Sequence, residues 1–179
     1  MAMVKPFVFQ VSGFQNSGKT LLVTSLVSIL SKSGFTAVTI KHHGHGGKPD
    51  IPVEKDTSRH VMAGAAASLV EGGGRVIIHG ENASWPLTKK IEFMSFFEPD
   101  FIIVEGHKHE NYPKAVLLRR EEDLFLLKQL QEVKVILFHK ELEGHSELAG
   151  LHIPCFPAGG HEGVQWITRF LTEKAHNCK

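Results

Sequence analysis

The sequence predicts an α/β fold, in which a mostly parallel sheet is flanked by helices and includes some antiparallel strands. Short apolar runs alternate with helical segments along the chain, which is typical of βα units. A glycine-rich loop, Gly13 to Thr20, follows the first apolar run and precedes the first helical segment. The run Phe101–Val104 is apolar at every position, as expected for a buried central strand.

Length, composition and charge bound the class of protein. The chain has 179 residues, which suits one domain, so we expect residues 1–179 to form a single domain. A formal net charge of +1 gives no electrostatic reason to expect nucleic acid or an acidic membrane as a partner. The N-terminus lacks an apolar segment of signal length, and no stretch approaches about 18 apolar residues. We therefore expect a soluble, cytoplasmic protein.

The predicted strands are short apolar runs bounded by glycine, proline or polar residues. In chain order they are Phe7–Val11, Ala37–Lys41, Ser68–Val70, Val76–His79, Phe101–Val104, Ala115–Leu118, Val133–Phe138 and Ile153–Phe156. The third and fourth strands flank Gly72-Gly73-Gly74, which is typical of a hairpin turn, so this pair is expected to be antiparallel.

The predicted helices carry apolar residues at helical spacing. In chain order they are Lys19–Ser33, Asp56–Ala65, Pro86–Phe97, the short amphipathic segment Leu124–Leu130 and Val164–Lys174. Gly34 suits the position just after the first helix. Either Asp56 or Thr57 can cap the second.

The loop Gly13 to Thr20 fits the phosphate-binding pattern G-x-x-x-x-G-K-[ST] in full, between a predicted strand and a predicted helix. Its glycines allow backbone N–H groups to surround an anion at a helix N-terminus. In this pattern the lysine reaches the β- and γ-phosphates and the threonine hydroxyl ligates Mg²⁺. The motif predicts a nucleoside triphosphate site in a P-loop NTPase three-layer sandwich. The residues predicted to bind the nucleotide are Gly13, Asn16, Ser17, Gly18, Lys19 and Thr20.

A P-loop site also needs a carboxylate at the end of a neighbouring strand, to hold Mg²⁺ or its water. Asp100 and Glu105 bracket the buried strand and lie roughly 16 Å apart if it is extended. Ligands of open α/β sheets bind beyond the carboxyl ends of the strands. We therefore predict Glu105 as the catalytic and metal-binding carboxylate, and Asp100 as a residue that caps the strand entry.

A histidine-rich loop follows the second strand. The cluster His42-His43-x-His45 places three histidines within four residues, which could bind zinc, but no cysteine or further close ligand completes a structural site. A substrate-binding or γ-phosphate-sensing segment is the favoured interpretation. The next helix begins with Lys55-Asp56-Thr57-Ser58-Arg59, which is either a capped, solvated helix start or a source of phosphate contacts. The candidate residues for a second ligand or a switch are Lys41, His43, Asp56 and Arg59.

The sequence gives only a weak indication of which nucleotide base is bound. Guanine-specific P-loop proteins often carry N/T-K-x-D after a late strand. Here His139-Lys140-Glu141-Leu142 follows the strand Val133–Phe138, which keeps the lysine and lacks the aspartate. Lys140 is a candidate for stacking on a base, while no residue is identified as the reader of guanine.

The chain resembles the molybdopterin-guanine dinucleotide biosynthesis protein B family, MobB, over nearly its whole length. The resemblance rests on the P-loop, on Lys41-His42-His43, on Lys55 to His60 followed by Ala63-Gly64-Ala65, and on Asp100 with Glu105-Gly106-His107-Lys108. Two departures are visible. Val53-Glu54 stands where the family usually has Pro-Gly, and His107 stands where a Phe or similar residue is common.

This resemblance implies a GTP-binding accessory protein that hydrolyses GTP weakly with Mg²⁺. It implies a homodimer that works with the nucleotidyltransferase joining GMP to molybdopterin. The antiparallel edge near Ser68–His79 is a candidate for strand pairing between subunits.

Two other functions remain open from the residues alone. One is a small-molecule kinase, in which the loop His42 to His45 holds an acceptor; the chain offers one adjacent arginine pair, Arg119-Arg120, for a lid. The other is a metallochaperone GTPase, in which the same loop delivers a metal. Position 14 is Phe, so the chain lacks the second lysine that some dimeric P-loop ATPases insert across their interface.

Overall fold

The computed structural model describes residues 5–44, 56–82 and 84–177. The chain divides into two compact units, of which the first comprises residues 1–42 with 90–179 and the second residues 43–89. The expectation of one domain stays a prediction. No helix within the described ranges is long and apolar enough to cross a membrane.

Every predicted strand and helix is present, most of them with shifted ends. The strands are β1 (Phe7–Gly13), β2 (Ala37–Lys41), β3 (Ala67–Gly72), β4 (Arg75–Gly80), β5 (Phe101–Glu105), β6 (Lys114–Leu118), β7 (Val133–Phe138) and β8 (Cys155–Pro157). The helices are α1 (Lys19–Lys32), α2 (Asp56–Met62), α3 (Leu87–Ser95), α4 (Leu126–Gln129), α5 (Ser146–Ala149) and α6 (His161–Asn177). Two 3₁₀ turns cover Glu121–Phe125 and Lys140–Leu142.

The first unit is built on a six-stranded sheet of order β2-β5-β1-β6-β7-β8, in which every neighbouring pair is parallel. This confirms the α/β prediction. Strand β1 lies between β5 and β6, so the loop after β1 emerges between the ends of two later strands. Residues at the carboxyl ends share one edge of the sheet, where Glu105 of β5 is in register with both Val11 of β1 and Lys41 of β2.

Apolar residues cover both faces of this sheet. On one face, residues such as Phe9, Ile103 and Leu137 pack with α1 and α6. On the other face, β6 and β7 pack with leucines from the short helical segments. Those leucines are Leu124, Leu126, Leu130, Leu142 and Leu148. The result is the predicted three-layer sandwich, with the P-loop held at the start of a deeply packed helix.

The connection from β5 to β6, residues 106–113, carries the chain from one side of β1 to the other without a helix. Buried Gln10 of β1 anchors it, because its Nε2 donates hydrogen bonds to the carbonyl oxygens of His107 (2.8 Å) and Gly106 (3.3 Å). At its far end the fully buried Lys114 donates to the carbonyl oxygens of Glu110 (2.6 Å) and Gln131 (2.8 Å). These bonds fix the segment that follows Glu105.

The second unit contains the predicted hairpin. Strands β3 and β4 pair antiparallel, and Gly73 and Gly74 make the turn with φ of 57° and 78°. The prediction placed these strands in the sheet, whereas they form a separate two-stranded sheet. Helix α2 ends at Met62 and not at Ala65, and Gly64 adopts a left-handed φ of 109° just beyond it.

Candidate functional site

The P-loop bends sharply between β1 and α1. Three of its residues have positive φ: Gly13 (150°), Asn16 (58°) and Gly18 (97°). A Cβ atom on Gly13 would lie 2.7 Å from both the carbonyl oxygen of Leu117 and the hydroxyl oxygen of Ser17. The first glycine of the motif is therefore required by the close approach of β6 and of the loop itself.

The start of α1 suits an anion. Its N-cap is Gly18, which provides no side-chain cap, and its first turn contains no acidic residue. The first N–H groups of a helix have no partner within the helix, and the helix dipole places positive charge there. A phosphate group bound at this position would accept hydrogen bonds from these N–H groups. The backbone thus has the properties that the sequence motif predicts.

Lys19 lies over the same loop. Its ammonium donates a hydrogen bond to the carbonyl oxygen of Phe14 at 2.6 Å. Burial lowers the pKa of Lys19; the nearby Glu105 raises it, whereas Lys41 and Lys108 lower it. Two further ammonium groups therefore repel that of Lys19, whereas the Glu105 carboxylate attracts it. A polyanionic ligand would relieve this repulsion.

The two predicted metal ligands are in direct contact. The Thr20 hydroxyl donates a hydrogen bond to Oε1 of Glu105 at 2.8 Å. Glu105 is the last residue of β5 and is 8% exposed. Two neighbouring oxygen ligands of an octahedral Mg²⁺, each about 2.0–2.1 Å from the ion, lie about 2.9 Å apart. The separation of these two oxygens and their chemistry fit Mg²⁺. Asp100 lies at the other end of β5, where its Oδ2 accepts from the backbone N–H of Thr36 at 2.8 Å.

Lys41 completes this part of the site. Its Nζ lies 3.2 Å from Oε1 of Glu105 and 3.2 Å from the Thr20 hydroxyl oxygen. The structure thus brings one of the four candidate second-ligand or switch residues to the predicted metal ligands. The others, His43, Asp56 and Arg59, belong to the second compact unit, and their role stays a prediction. His45, Val53-Glu54 and Lys55 lie outside the described residues.

Two histidine rings contact each other at a tilt of 44° just after Glu105 and Lys41. The rings of His42 and His107 have centroids 4.7 Å apart, and Nε2 of His107 lies 3.1 Å from Nζ of Lys90. Burial, together with the charges of Lys90 and His42, lowers the pKa of His107 to about 4. The imidazole is therefore neutral at neutral pH and accepts the hydrogen bond of Lys90. Gly106 allows this arrangement, because a Cβ there would lie 3.0 Å from Cβ of His42.

The sequence predicted no role for three residues near the site, which are Gln10, Lys108 and His139. Lys108 places its ammonium 4.6 Å from the ring centroid of Phe14, and the Nε2 of His139 lies 3.0 Å from the carbonyl oxygen of Ser17. Gln10 anchors the segment after Glu105. His139 directly follows β7, at the edge where ligands bind, and this position was the available signal. Lys140, the predicted base-stacking residue, begins a 3₁₀ turn immediately after it.

A zinc or nickel site receives no support from the part of the chain that the structure describes. In those ranges no group of three or more His, Cys, Asp or Glu side chains is placed to hold a metal ion.

The comparisons with known proteins agree with this geometry. Residues 8–139 match the family described as Molybdopterin guanine dinucleotide synthesis protein B, MobB. The chain belongs to the MobB family. A relative from Bacillus subtilis (strain 168), described as a probable molybdopterin-guanine dinucleotide biosynthesis adapter protein, is 40% identical over 170 residues, or 93% of this chain and 95% of the relative.

Solved MobB structures share the fold. The crystal structure of Bacillus subtilis MobB aligns with a TM-score of 0.74 at 34% identity, covering 92% of this chain and 96% of that chain. A MobB homologue from Bacillus stearothermophilus aligns with a TM-score of 0.73 at 29% identity, covering 93% and 98% of the two chains. The resemblance drawn from the sequence motifs is confirmed, and the kinase and metallochaperone alternatives are not favoured.

Proposed function

We propose that this MobB-family chain binds GTP with Mg²⁺, hydrolyses it slowly, and serves as an adapter in the biosynthesis of molybdopterin-guanine dinucleotide. Its partner is the nucleotidyltransferase that joins GMP to molybdopterin. Family membership and the adapter relative at 40% identity support the biosynthetic role. The nucleotide site is supported by the geometry of the P-loop.

The observation that carries the nucleotide proposal is the 2.8 Å contact between Thr20 and Glu105 at the start of α1. In this proposal Gly13, Asn16, Ser17, Gly18 and Lys19 surround the phosphates through backbone N–H groups and the lysine ammonium. Thr20 and Glu105 hold Mg²⁺, which when bound neutralises the charge of the β- and γ-phosphates. Glu105 also positions the attacking water. The cations near the P-loop favour an anionic ligand electrostatically.

Recognition of the base is assigned to the segment after β7. Lys140 starts the 3₁₀ turn there, and His139 ties that turn to the P-loop through the carbonyl of Ser17. The base would lie beyond the carboxyl ends of β6 and β7, with Lys140 stacked on it. His43, Asp56 and Arg59 remain candidates for contacts with a second ligand.

A homodimer is part of the proposal, with the hairpin of β3 and β4 as the subunit contact. A two-stranded hairpin is marginally stable alone, and exposed strand edges pair readily with another chain. Leu69 and Ile78 are paired on one face of this hairpin and Val70 and Ile77 on the other, all of them exposed. A second copy would cover these side chains symmetrically. The cytoplasm is the expected location for a protein that uses GTP.

Calorimetric titration with GTP and with ATP, each with and without Mg²⁺, tests this function. We expect a clear preference for GTP and a dependence of affinity on Mg²⁺. A preference for ATP would contradict the proposed specificity for guanine and would favour the alternative function of a small-molecule kinase. With GTP binding established, co-purification with the nucleotidyltransferase tests the adapter role.

A further inference from the structure

Lys41 occupies an unusual position for a surface lysine. Its Nζ is equidistant, at 3.2 Å, from the Thr20 hydroxyl oxygen and from Oε1 of Glu105, which are themselves 2.8 Å apart. Its backbone is fixed by register, because Lys41 of β2 pairs with Glu105 of β5. The three groups form a closed triangle in which the only anion is the carboxylate.

The hydrogen bonds of this triangle use the oxygen lone pairs that a metal requires. The Thr20 hydroxyl donates a hydrogen bond to Glu105, and one of its oxygen lone pairs accepts a hydrogen bond from Lys41. Oε1 of Glu105 also faces the ammonium. Mg²⁺ is a hard cation that takes such oxygen ligands at about 2.0–2.1 Å. The ammonium and the ion are therefore alternative cations for the same two atoms.

The two side chains differ in exposure, so the ammonium of Lys41 can be displaced, whereas the carboxylate of Glu105 depends on a cation. The Glu105 side chain is 10% exposed and the Lys41 side chain is 60% exposed. A carboxylate with so little access to water is costly to leave without a cationic partner. An exposed lysine gains little from one ion pair and can swing into water at small cost. Glu105 therefore requires a cationic partner, whereas Lys41 can leave the carboxylate at small cost.

We propose that Lys41 is a resident counter-ion of the metal site: its ammonium holds Thr20 and Glu105 together, competes with Mg²⁺ for them, and is displaced when the metal binds. This inference rests on the proposed function, because it takes Thr20 and Glu105 as the metal ligands. Lys41 sets the Mg²⁺ concentration at which the site loads. Once displaced, its ammonium is free to face the nucleotide phosphates.

The test uses three variants of the full chain. Lys41→Met keeps the length of the side chain and removes its charge, whereas Lys41→Arg keeps the charge. Lys134→Met is the matched control, because Lys134 near the start of β7 makes an ion pair with Glu132 at 3.1 Å and lies three strands away from β5 in the sheet. Each protein is saturated with GDP and titrated with Mn²⁺, and free Mn²⁺ is measured by electron paramagnetic resonance.

We expect Lys41→Met to bind Mn²⁺ about tenfold more tightly than wild type, because a positive charge close to the ion has been removed. Lys41→Arg and Lys134→Met should bind it as wild type does. A second readout is thermal stability without nucleotide. Lys41→Met should melt at a lower temperature than wild type in EDTA, since Glu105 has lost its counter-ion, and should gain more from added Mn²⁺.

Two results would overturn the inference and are distinguishable from each other. If Lys41→Met binds Mn²⁺ as wild type does, or more weakly, Lys41 does not compete with the metal. If wild type binds GDP but takes up no Mn²⁺, or if it binds no GDP, the proposed nucleotide and metal site itself is wrong. The gain in melting temperature on adding Mn²⁺ separates the two causes, because a general folding defect of Lys41→Met would lower the melting temperature in EDTA without increasing that gain.

Discussion

The imidazole Nε2 of His139 lies 3.0 Å from the backbone carbonyl oxygen of Ser17, although the two residues stand 122 positions apart in sequence. A carbonyl oxygen only accepts, so Nε2 carries a proton and donates the hydrogen bond. The bond joins the segment after β7 to the P-loop. The P-loop, which is proposed to bind the phosphates, is thus held from the side on which we propose that the base binds.

Replacing His139 should weaken nucleotide binding without abolishing it. One hydrogen bond contributes about 0.5–1.5 kcal/mol, so His139→Ala should raise the dissociation constant of GTP roughly two- to tenfold. Isothermal titration calorimetry measures this change. His139→Asn retains an N–H donor on a shorter side chain and should recover part of the affinity. Wild-type affinity in His139→Ala would mean that the contact does not organise the P-loop.

Lys19→Ala should abolish nucleotide binding. Its ammonium is the group predicted to reach the β- and γ-phosphates, and it already lies over the loop against the carbonyl of Phe14. Lys32→Ala is the matched control, because Lys32 is an exposed residue in the last turn of the same helix. Calorimetry should find no heat of binding for the first variant and unchanged affinity for the second. Retained affinity in Lys19→Ala would contradict the P-loop assignment.

Glu105→Gln should spare GTP binding and reduce hydrolysis. The amide oxygen of glutamine still accepts the hydrogen bond of Thr20, whereas the negative charge proposed to hold Mg²⁺ and position water is lost. Phosphate release under single-turnover conditions measures the effect. Asp100→Asn, at the opposite end of β5, is the control and should hydrolyse GTP at the wild-type rate. Intact turnover in Glu105→Gln would show that another group performs this role.

Gly13→Ala should destabilise the fold more than Gly34→Ala does. Both glycines have positive φ, but a Cβ at Gly34 meets nothing within 4 Å, whereas one at Gly13 meets two atoms at 2.7 Å. Gly34→Ala should cost about 1 kcal/mol of unfolding free energy. Gly13→Ala should cost about 1–3 kcal/mol more, because the loop and β6 must move apart. Urea unfolding compares the two variants, and equal costs would argue against the close approach.

Ile77→Lys should convert a dimer into a monomer. Ile77 is half exposed on the β3–β4 hairpin, and a charge there would be buried in the proposed subunit contact. Phe96→Lys is the control, since Phe96 is 83% exposed beyond the end of α3. Light scattering coupled to size-exclusion chromatography should find wild type and Phe96→Lys dimeric. A wild-type monomer, or a dimeric Ile77→Lys, would contradict the hairpin contact.

Local patterns account for the parts of the site that the sequence predicted. The P-loop is a continuous segment, so its spacing alone places Gly13 and Thr20. Glu105 followed from a rule about strand ends, which needs no knowledge of strand order. Lys108 and His139 approach the P-loop, and Gln10 contacts the segment after Glu105, because β1 lies between β5 and β6, with β7 next to β6. That order is set by packing of the whole sheet and leaves no local signal in the sequence.

The start of α6 also depends on tertiary packing that the local sequence does not indicate. The prediction began this helix at Val164, whereas it begins at His161. Gly163 lies in its first turn, and glycine in sequence indicates a loop. In the structure a Cβ on Gly163 would clash with the side chain of Leu137. Glycine is therefore required at position 163 by the close packing of α6 on the sheet, and it does not indicate a loop there.

The charges of Lys41 and Lys108 both act on the ammonium of Lys19, on which the Glu105 carboxylate acts in the opposite direction. Any small oxyanion is attracted to such a place, whatever its biological meaning. If nucleotide phosphates bind here as proposed, then phosphate, sulfate or citrate in a buffer would compete with them and lower the apparent affinity of every nucleotide. Affinities for this chain are comparable only when they are measured in amine or zwitterionic buffers at a stated ionic strength.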